Sequence, residues 1–469
     1  MARLMDLGDI ISGGTPKTSE PSYFDGDIPW VTPADLTGYQ SKRISRGRRN
    51  ITEAGLKASS ARLIPAKSVL FSSRAPIGYV AIACNDLATN QGFKSIGPSD
   101  HVDENYIYHY LKSAKALAES VASGTTFKEI SGSKFGKLPI PLPPLAEQHR
   151  IVEKIETLFV ELDKGEEAVR QVQTLLKRYR QSVLKAAVTG ELTADWRAAR
   201  DGQLEHGRDL LSRILKVREQ NWQGRGKYKP PVEPVTTGLP DLPEGWVWAS
   251  VDQLIFGIQA GKNYRCRETP PGDDEAGIVK ISAVTWDSFD ENESKTIVDP
   301  TFVNPDWVIR EGDLLISRAN TLELVGASVV VHSITKTLQL SDKVLRLAAH
   351  DGLSHWLNLL FKSPLGRKQI ESFATGAQMS MRNISQGNLA RIAVPLPPME
   401  EIVVATERAA MGFDKQANML AACEIELTRS AALRQSILKD AFSGKLVPQD
   451  PADEPASALL DRIRQKRSA

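Results

Sequence analysis

The clearest pattern in this chain is a long apolar seam. Apolar or small residues fall at Ile151, Ile155, Leu158, Leu162, Gly165, Val169, Val172, Leu176, Tyr179, Val183 and Ala186. The spacing alternates four and three, which is the heptad signature of a helix facing another helix. Pro143 and Pro144 can open it, since proline is tolerated in a first helical turn, and Thr189-Gly190 can close it. Residues 145–187 at about 1.5 Å each predict a rod of roughly 64 Å. A second rod is expected over about 399–441. It is apolar but less regular, with Gln416, Glu426 and Asp440 at positions equivalent to Leu162, Val172 and Ala186, so its phase stays open. Outside the rods, short β-like runs lie at 28–31, 69–72, 79–83, 278–281, 313–316, 327–331 and 344–347. Turn phrases such as Gly13-Gly14-Thr15-Pro16, Asn90-Gln91-Gly92 and Pro270-Pro271-Gly272 separate them. Helical stretches are expected near 104–121, 354–373 and 207–220.

The pattern repeats. Pro141-Leu142-Pro143-Pro144 returns as Pro395-Leu396-Pro397-Pro398, 254 residues later. Arg180-Gln181-Ser182-Val183-Leu184-Lys185 returns as Arg434-Gln435-Ser436-Ile437-Leu438-Lys439 at the same offset. Upstream the match drifts. Leu70 to Ala75 resembles Leu314 to Ala319, which sets Ser73 against Ser317 and Arg74 against Arg318, and Phe93-Lys94 resembles Asp342-Lys343. Leu459 to Ile463 resembles Leu210 to Ile214, so the tail repeats the connector. The expected plan is an α+β protein in a pseudo-two-fold, circular arrangement. Two irregular β-rich domains, 1–140 and 246–394, are separated by two long antiparallel helices, 141–190 and 395–444. A connector, 191–245, has one short helix and a proline-rich stretch, and the tail is 445–469.

Composition narrows the class. The chain has 469 residues, 41% hydrophobic and 25% charged, with a net charge of +2. That is the balance of an ordinary globular protein. There is no run of 18 apolar residues, the opening residues hold no apolar stretch of signal-peptide length, and the three cysteines lie far apart. A cytoplasmic setting is expected. No phosphate-binding glycine loop, zinc signature or aminomethylation motif is present, and Glu293-Ser294-Lys295 reads better as a solvated loop than as half of a nuclease site.

The order of these phrases resembles one family. Ser73-Arg74-Ala75-Pro76-Ile77-Gly78, Asn90-Gln91-Gly92-Phe93-Lys94, the helix entry through Ala146-Glu147-Gln148, the exit to Gly190-Glu191-Leu192, and Leu242-Pro243-Glu244-Gly245-Trp246 together resemble the specificity subunit of type I restriction–modification enzymes. The second half departs from the first, with Asn320-Thr321 in place of Pro76-Ile77 and Glu400-Glu401-Ile402 at its helix entry. The resemblance implies a non-catalytic reader of double-stranded DNA, each β-rich domain binding one half of a split, asymmetric site and the helices setting the gap. It implies two modification subunits as partners, which would methylate adenine with S-adenosylmethionine, and restriction subunits that would use ATP and Mg2+. No cofactor or metal is expected in this chain, and no membrane partner. The near-repeat of Thr189-Gly190-Glu191-Leu192 by Thr193-Ala194-Asp195-Trp196 resembles the place where the family alters the gap; an insertion there would lengthen the helix.

The candidate DNA-contacting residues are cationic or polar. Lys42, Arg43, Arg46, Arg48 and Arg49 form a cationic run suited to phosphates, or a solvated loop. Ser73-Arg74 and Ser317-Arg318 end matching strands, where an arginine can bind guanine, a phosphate or an internal carboxylate. Gln91, Lys94 and Lys343 lie in the neighbouring turns. Thr125, Thr126 and Lys128 lie in one loop and Gln378, Ser380 and Arg382 in its counterpart, which differs in sequence and length. Thr15, Lys17, Lys262, Tyr264 and Arg265 belong to the two opening loops. Trp30 reads as core. The rival classes are a self-contained nuclease or methyltransferase, against which the missing motifs argue, and a coiled-coil scaffold without DNA affinity.

Overall fold

The computed structural model describes residues 1–124, 128–200, 202–222, 227–285, 287–378 and 381–468. They form two compact units, one of residues 1–170 with 424–469 and one of residues 171–423.

In the first unit the main sheet runs Ile10–Ser12, Phe93–Ile96, Val69–Ser73, Ile77–Ala83, Arg43–Ile44. Val69–Ser73 is buried along its whole length, its two closing serines included. A second sheet runs Arg49–Ile51, Phe24–Val31, Leu87–Thr89, Leu63–Ile64. The opening strand Ala2–Arg3 pairs with Pro139–Ile140 just before the long helix. The expected helix at 104–121 is two helices, Glu104–Ser113 and Lys115–Val121, because Ala114 leaves helical geometry (φ −87°, ψ 8°). The core gathers Phe71, Ile82, Ile96, Tyr106 and Phe135 with Ile151 and Ile155 of the first long helix, Ile437, Leu438 and Ala441 of the second, and Leu459 and Ile463 of the tail.

The second unit repeats this frame. Its main sheet runs Ile255–Ala260, Val344–Ala349, Leu314–Ser317, Ser328–Val330, the order of the first four strands above. Its second sheet, Cys266–Arg267, Ser294–Ile297, Ala276–Val279, Thr337–Gln339, keeps one parallel pairing, as the first unit's does. Val247–Ser250 pairs with Ala393–Leu396. The expected helix at 354–373 divides at Ser363, whose side chain caps Pro364–Phe373 through Gly366. The Ser-Pro step carried that signal. The connector helix is Gly207–Gln220, with Leu210 and Ile214 in this unit's core. The strand at Ser294–Ile297 corrects the reading of 293–295 as a solvated loop: Ser294 is fully buried and Lys295 points the other way, the alternation of a strand.

The long helices are Leu145–Val188 and Met399–Phe442, 44 residues each. In the first unit Arg434 reaches Asp163 at 2.6 Å and Glu166 at 3.1 Å, and the Ser430 hydroxyl donates to Glu166 at 2.8 Å. In the second unit Gln416 Nε2 donates to the Leu176 carbonyl at 2.8 Å, and Arg180 lies 4.3 Å over the Phe413 ring. Both sets of contacts are antiparallel. The open phase of the second helix is thereby settled, with Ile402, Ala405, Ala409, Gln416 and Cys423 buried. The seam of the first helix is narrower than its heptads suggest, since Gly165, Val172 and Tyr179 are exposed. Gly190 closes the helix at φ +77°, and Leu192 N–H bonds back to Ala186 O at 2.9 Å. The stretch 189–192 is therefore a turn that ends the helix.

Candidate nucleic-acid interface

In the first unit several expected residues converge at one end of the main sheet. Gly13 and Gly14 pass so close to the strand Leu87–Thr89 that a Cβ on Gly13 would sit 2.0 Å from the Asn90 carbonyl. This holds the opening loop against the Asn90-Gln91-Gly92 turn, where the Thr15 hydroxyl donates to Gln91 Oε1. Ser73 N–H donates to Gly92 O at 2.7 Å, and Ile130 N–H to Ser73 O at 3.0 Å. Arg74 pairs with Glu129 at 3.3 Å, and Lys94 Nζ lies 3.2 Å from Gln91 O and 3.8 Å from Glu129. Burial pushes the Lys94 ammonium below its ordinary value, and the Glu129 charge opposes that shift. Lys17 and Lys128 are exposed nearby in sequence, while Thr125 and Thr126 lie outside the described residues. Glu129 was not singled out from sequence; the lysine before it was the only pointer.

The cationic run is not a free strip. Lys42 pairs with Glu156, Arg43 with Glu104 at 3.0 Å, Arg48 with Asp35 at 3.8 Å and Arg49 with Asp25 at 3.7 Å. Arg46 is exposed with no partner among the described residues. Trp30 is buried and donates to Gly14 O at 3.2 Å, as a core residue.

In the second unit the opening loop borders a cleft of about 660 Å³, lined among others by Asn263, Tyr264, Lys280, Lys295, Asp342 and Lys343. Tyr264 stacks on Phe302 with ring centroids 4.6 Å apart, and Lys295 is held by Glu268 at 2.7 Å. Lys262, Arg265 and Lys343 are exposed. Arg382 Nη1 donates to Gly376 O at 2.8 Å within the hairpin of Thr375–Gln378 and Met381–Asn383, which carries Gln378; Ser380 lies outside the described residues. Ser317 is fully buried and its hydroxyl donates to Leu324 O at 3.0 Å. Asn263 belongs to the expected opening loop; Lys280, Lys295 and Asp342 were missed because the cleft joins strands far apart in sequence.

The sheet hydrogen bonds set a different equivalence between the two halves from that of the shared sequence words. Arg318 N–H donates to Lys343 O at 2.8 Å, and Ile384 N–H to Arg318 O at 3.0 Å. These are the bonds that Ser73 makes with Gly92 and Ile130. Ser73, not Arg74, is therefore the counterpart of Arg318, Ser72 that of Ser317, and Gly92, not Lys94, that of Lys343. The shared Ser-Arg-Ala words are slipped by one residue, which moves a strand side chain to the opposite face.

Residues 1–169 match the family described as type I restriction modification DNA specificity domain. The MjaIX specificity subunit of Methanocaldococcus jannaschii is 47% identical over 152 residues, 32% of this chain and 35% of the relative. The EcoEI specificity subunit of Escherichia coli is 27% identical over 338 residues, 62% of this chain and 55% of the relative. The chain thus spans about a third and about half the length of these two relatives. A solved chain from work on complex assembly and conformational transition of the type I R-M system covers 95% of this chain and 97% of its own, at 21% identity and a TM-score of 0.58. Among the described residues no helix is long and apolar enough to cross a membrane.

Proposed function

We propose, from the premise that this chain belongs to the type I restriction–modification specificity subunits, that it is the DNA-reading, non-catalytic member of such a complex. Each β-rich domain reads one half of a split, asymmetric site. The observation that carries this reading is the frame built twice with different residues at its loop end. Thr15, Gln91, Arg74 and Lys94 line it in one unit, and Tyr264, Lys280, Lys295 and Lys343 in the other. Direct readout needs this design: a fixed scaffold that presents different donors and acceptors to different base edges.

The long helices set the gap and carry the modification subunits. Support comes from apolar side chains that the helices leave exposed, including Leu175, Tyr179, Met411 and Met419 in one unit and Val160 and Ile425 in the other. Apolar side chains left exposed along both long helices are surface that a protein partner would cover. S-adenosylmethionine would be bound by the modification subunits, ATP and Mg2+ by the restriction subunits. Incubation with labelled S-adenosylmethionine and target DNA tests the reading. The highly purified chain alone should transfer no methyl groups, and with its modification subunit it should methylate adenine within a split site. Transfer by the chain alone would contradict it.

A further inference from the structure

The corrected strand register aligns two residues that sequence words keep apart. Since Gly92 and Lys343 occupy the same place, so do the residues before them, Gln91 and Asp342. Both face an opening loop. Gln91 is exposed and takes a hydrogen bond from Thr15. Asp342 lines the second unit's cleft beside Asn263, Tyr264 and Lys343, and its Oδ1 is buried with no hydrogen-bond partner among the described residues. A buried carboxylate oxygen without a donor is costly and calls for an explanation. The surrounding lysines and asparagine line the same cleft, yet none bonds this oxygen.

We propose that Gln91 and Asp342 are corresponding base-reading residues, one in each half. This rests on the DNA-reading function proposed above. The two side chains have different capacities: an ionised carboxylate only accepts, whereas an amide both donates and accepts. In the major groove, a carboxylate at position 342 selects a base that presents an exocyclic amino group, cytosine N4 foremost. An amide at position 91 suits the donor–acceptor edge of adenine. One position of a common frame then reads different bases in the two halves, which an asymmetric site requires.

The test uses the chain reconstituted with its modification subunit, and randomised split targets sequenced after methylation. Asp342→Asn and Asp342→Gln should each change the preferred base at one position of one half-site, by about five- to a hundred-fold, with the other half-site and the gap unchanged. Gln91→Asp should do the same to the opposite half-site. Because Asp342 Oδ1 makes no hydrogen bond that Asp342→Asn would break, the melting temperature of that variant should not fall. Unchanged half-sites in all three variants, while the wild-type chain reads a split site, would overturn the inference alone. Uniformly weaker binding with a lower melting temperature would also overturn it, assigning the two residues to structure. A wild-type complex that reads no split site would overturn both the inference and the function beneath it.

Discussion

His109 is 4% exposed, with its Nε2 3.4 Å from Glu156, which also takes the Lys42 ammonium, and its ring against Tyr108 and Phe159. Burial pushes its pKa down to about 4, against a smaller opposing pull from Glu156. Unfolded, a histidine titrates near 6.5. Between these values the unfolded chain binds the extra proton, so stability is full above about pH 6.5 and falls as pH drops toward 4, by roughly 2–4 kcal/mol. Burial alone would raise Glu156, but hydrogen bonds from Lys42 and His109 hold it low, so its contribution is lost only at still lower pH. Thermal melts from pH 7.5 to 4.5 should show the first unit weakening across that window, and His109→Gln should flatten the slope. Equal slopes in both proteins would refute the assignment. Nothing in the sequence marked His109, because its burial depends on a helix and a strand pair that meet only in the fold. The Ser-Arg-Ala repeat failed for a related reason. Words of three residues are too short to fix a strand register, and the hydrogen bonds of Ser73 and Arg318 decide it.

At the scale of elements, periodicity was the reliable guide. The heptad seam and its proline and glycine ends marked both long helices to within a residue or two, and the connector helix matched its expected bounds. What periodicity could not supply was the partner of each polar residue on a helix. Glu401, one of the acidic pair that sets the second helix entry apart, is fully buried. It accepts from Thr193 at 2.6 Å and from Trp246 Nε1 at 2.9 Å and pairs with Arg197, all far away in sequence. The tail is the clearest case of a repeat that foretold packing. Leu459 and Ile463 are buried in the first unit's core as Leu210 and Ile214 are in the second's. Leu459→Ala should therefore destabilise the first unit by about 2–4 kcal/mol. Hydrogen exchange should rise in Glu104–Ser113 and stay unchanged in Ser354–Lys362; equal loss in both helices would contradict a tail that serves one unit.

For the whole molecule, the duplication was legible from sequence because its fixed-length segment carries repeated helix ends, while the strand order common to both units emerged only in the fold. On the function proposed above, two independent readers share one chain. Exchanging residues 1–140 for the same domain of a relative with a different target tests it most directly, by sequencing methylated adenines after reconstitution with the modification subunit. One half-site should take the relative's sequence, with the other half-site unchanged. A change in both half-sites, or methylation that no longer needs a split target, would rule out independent readers.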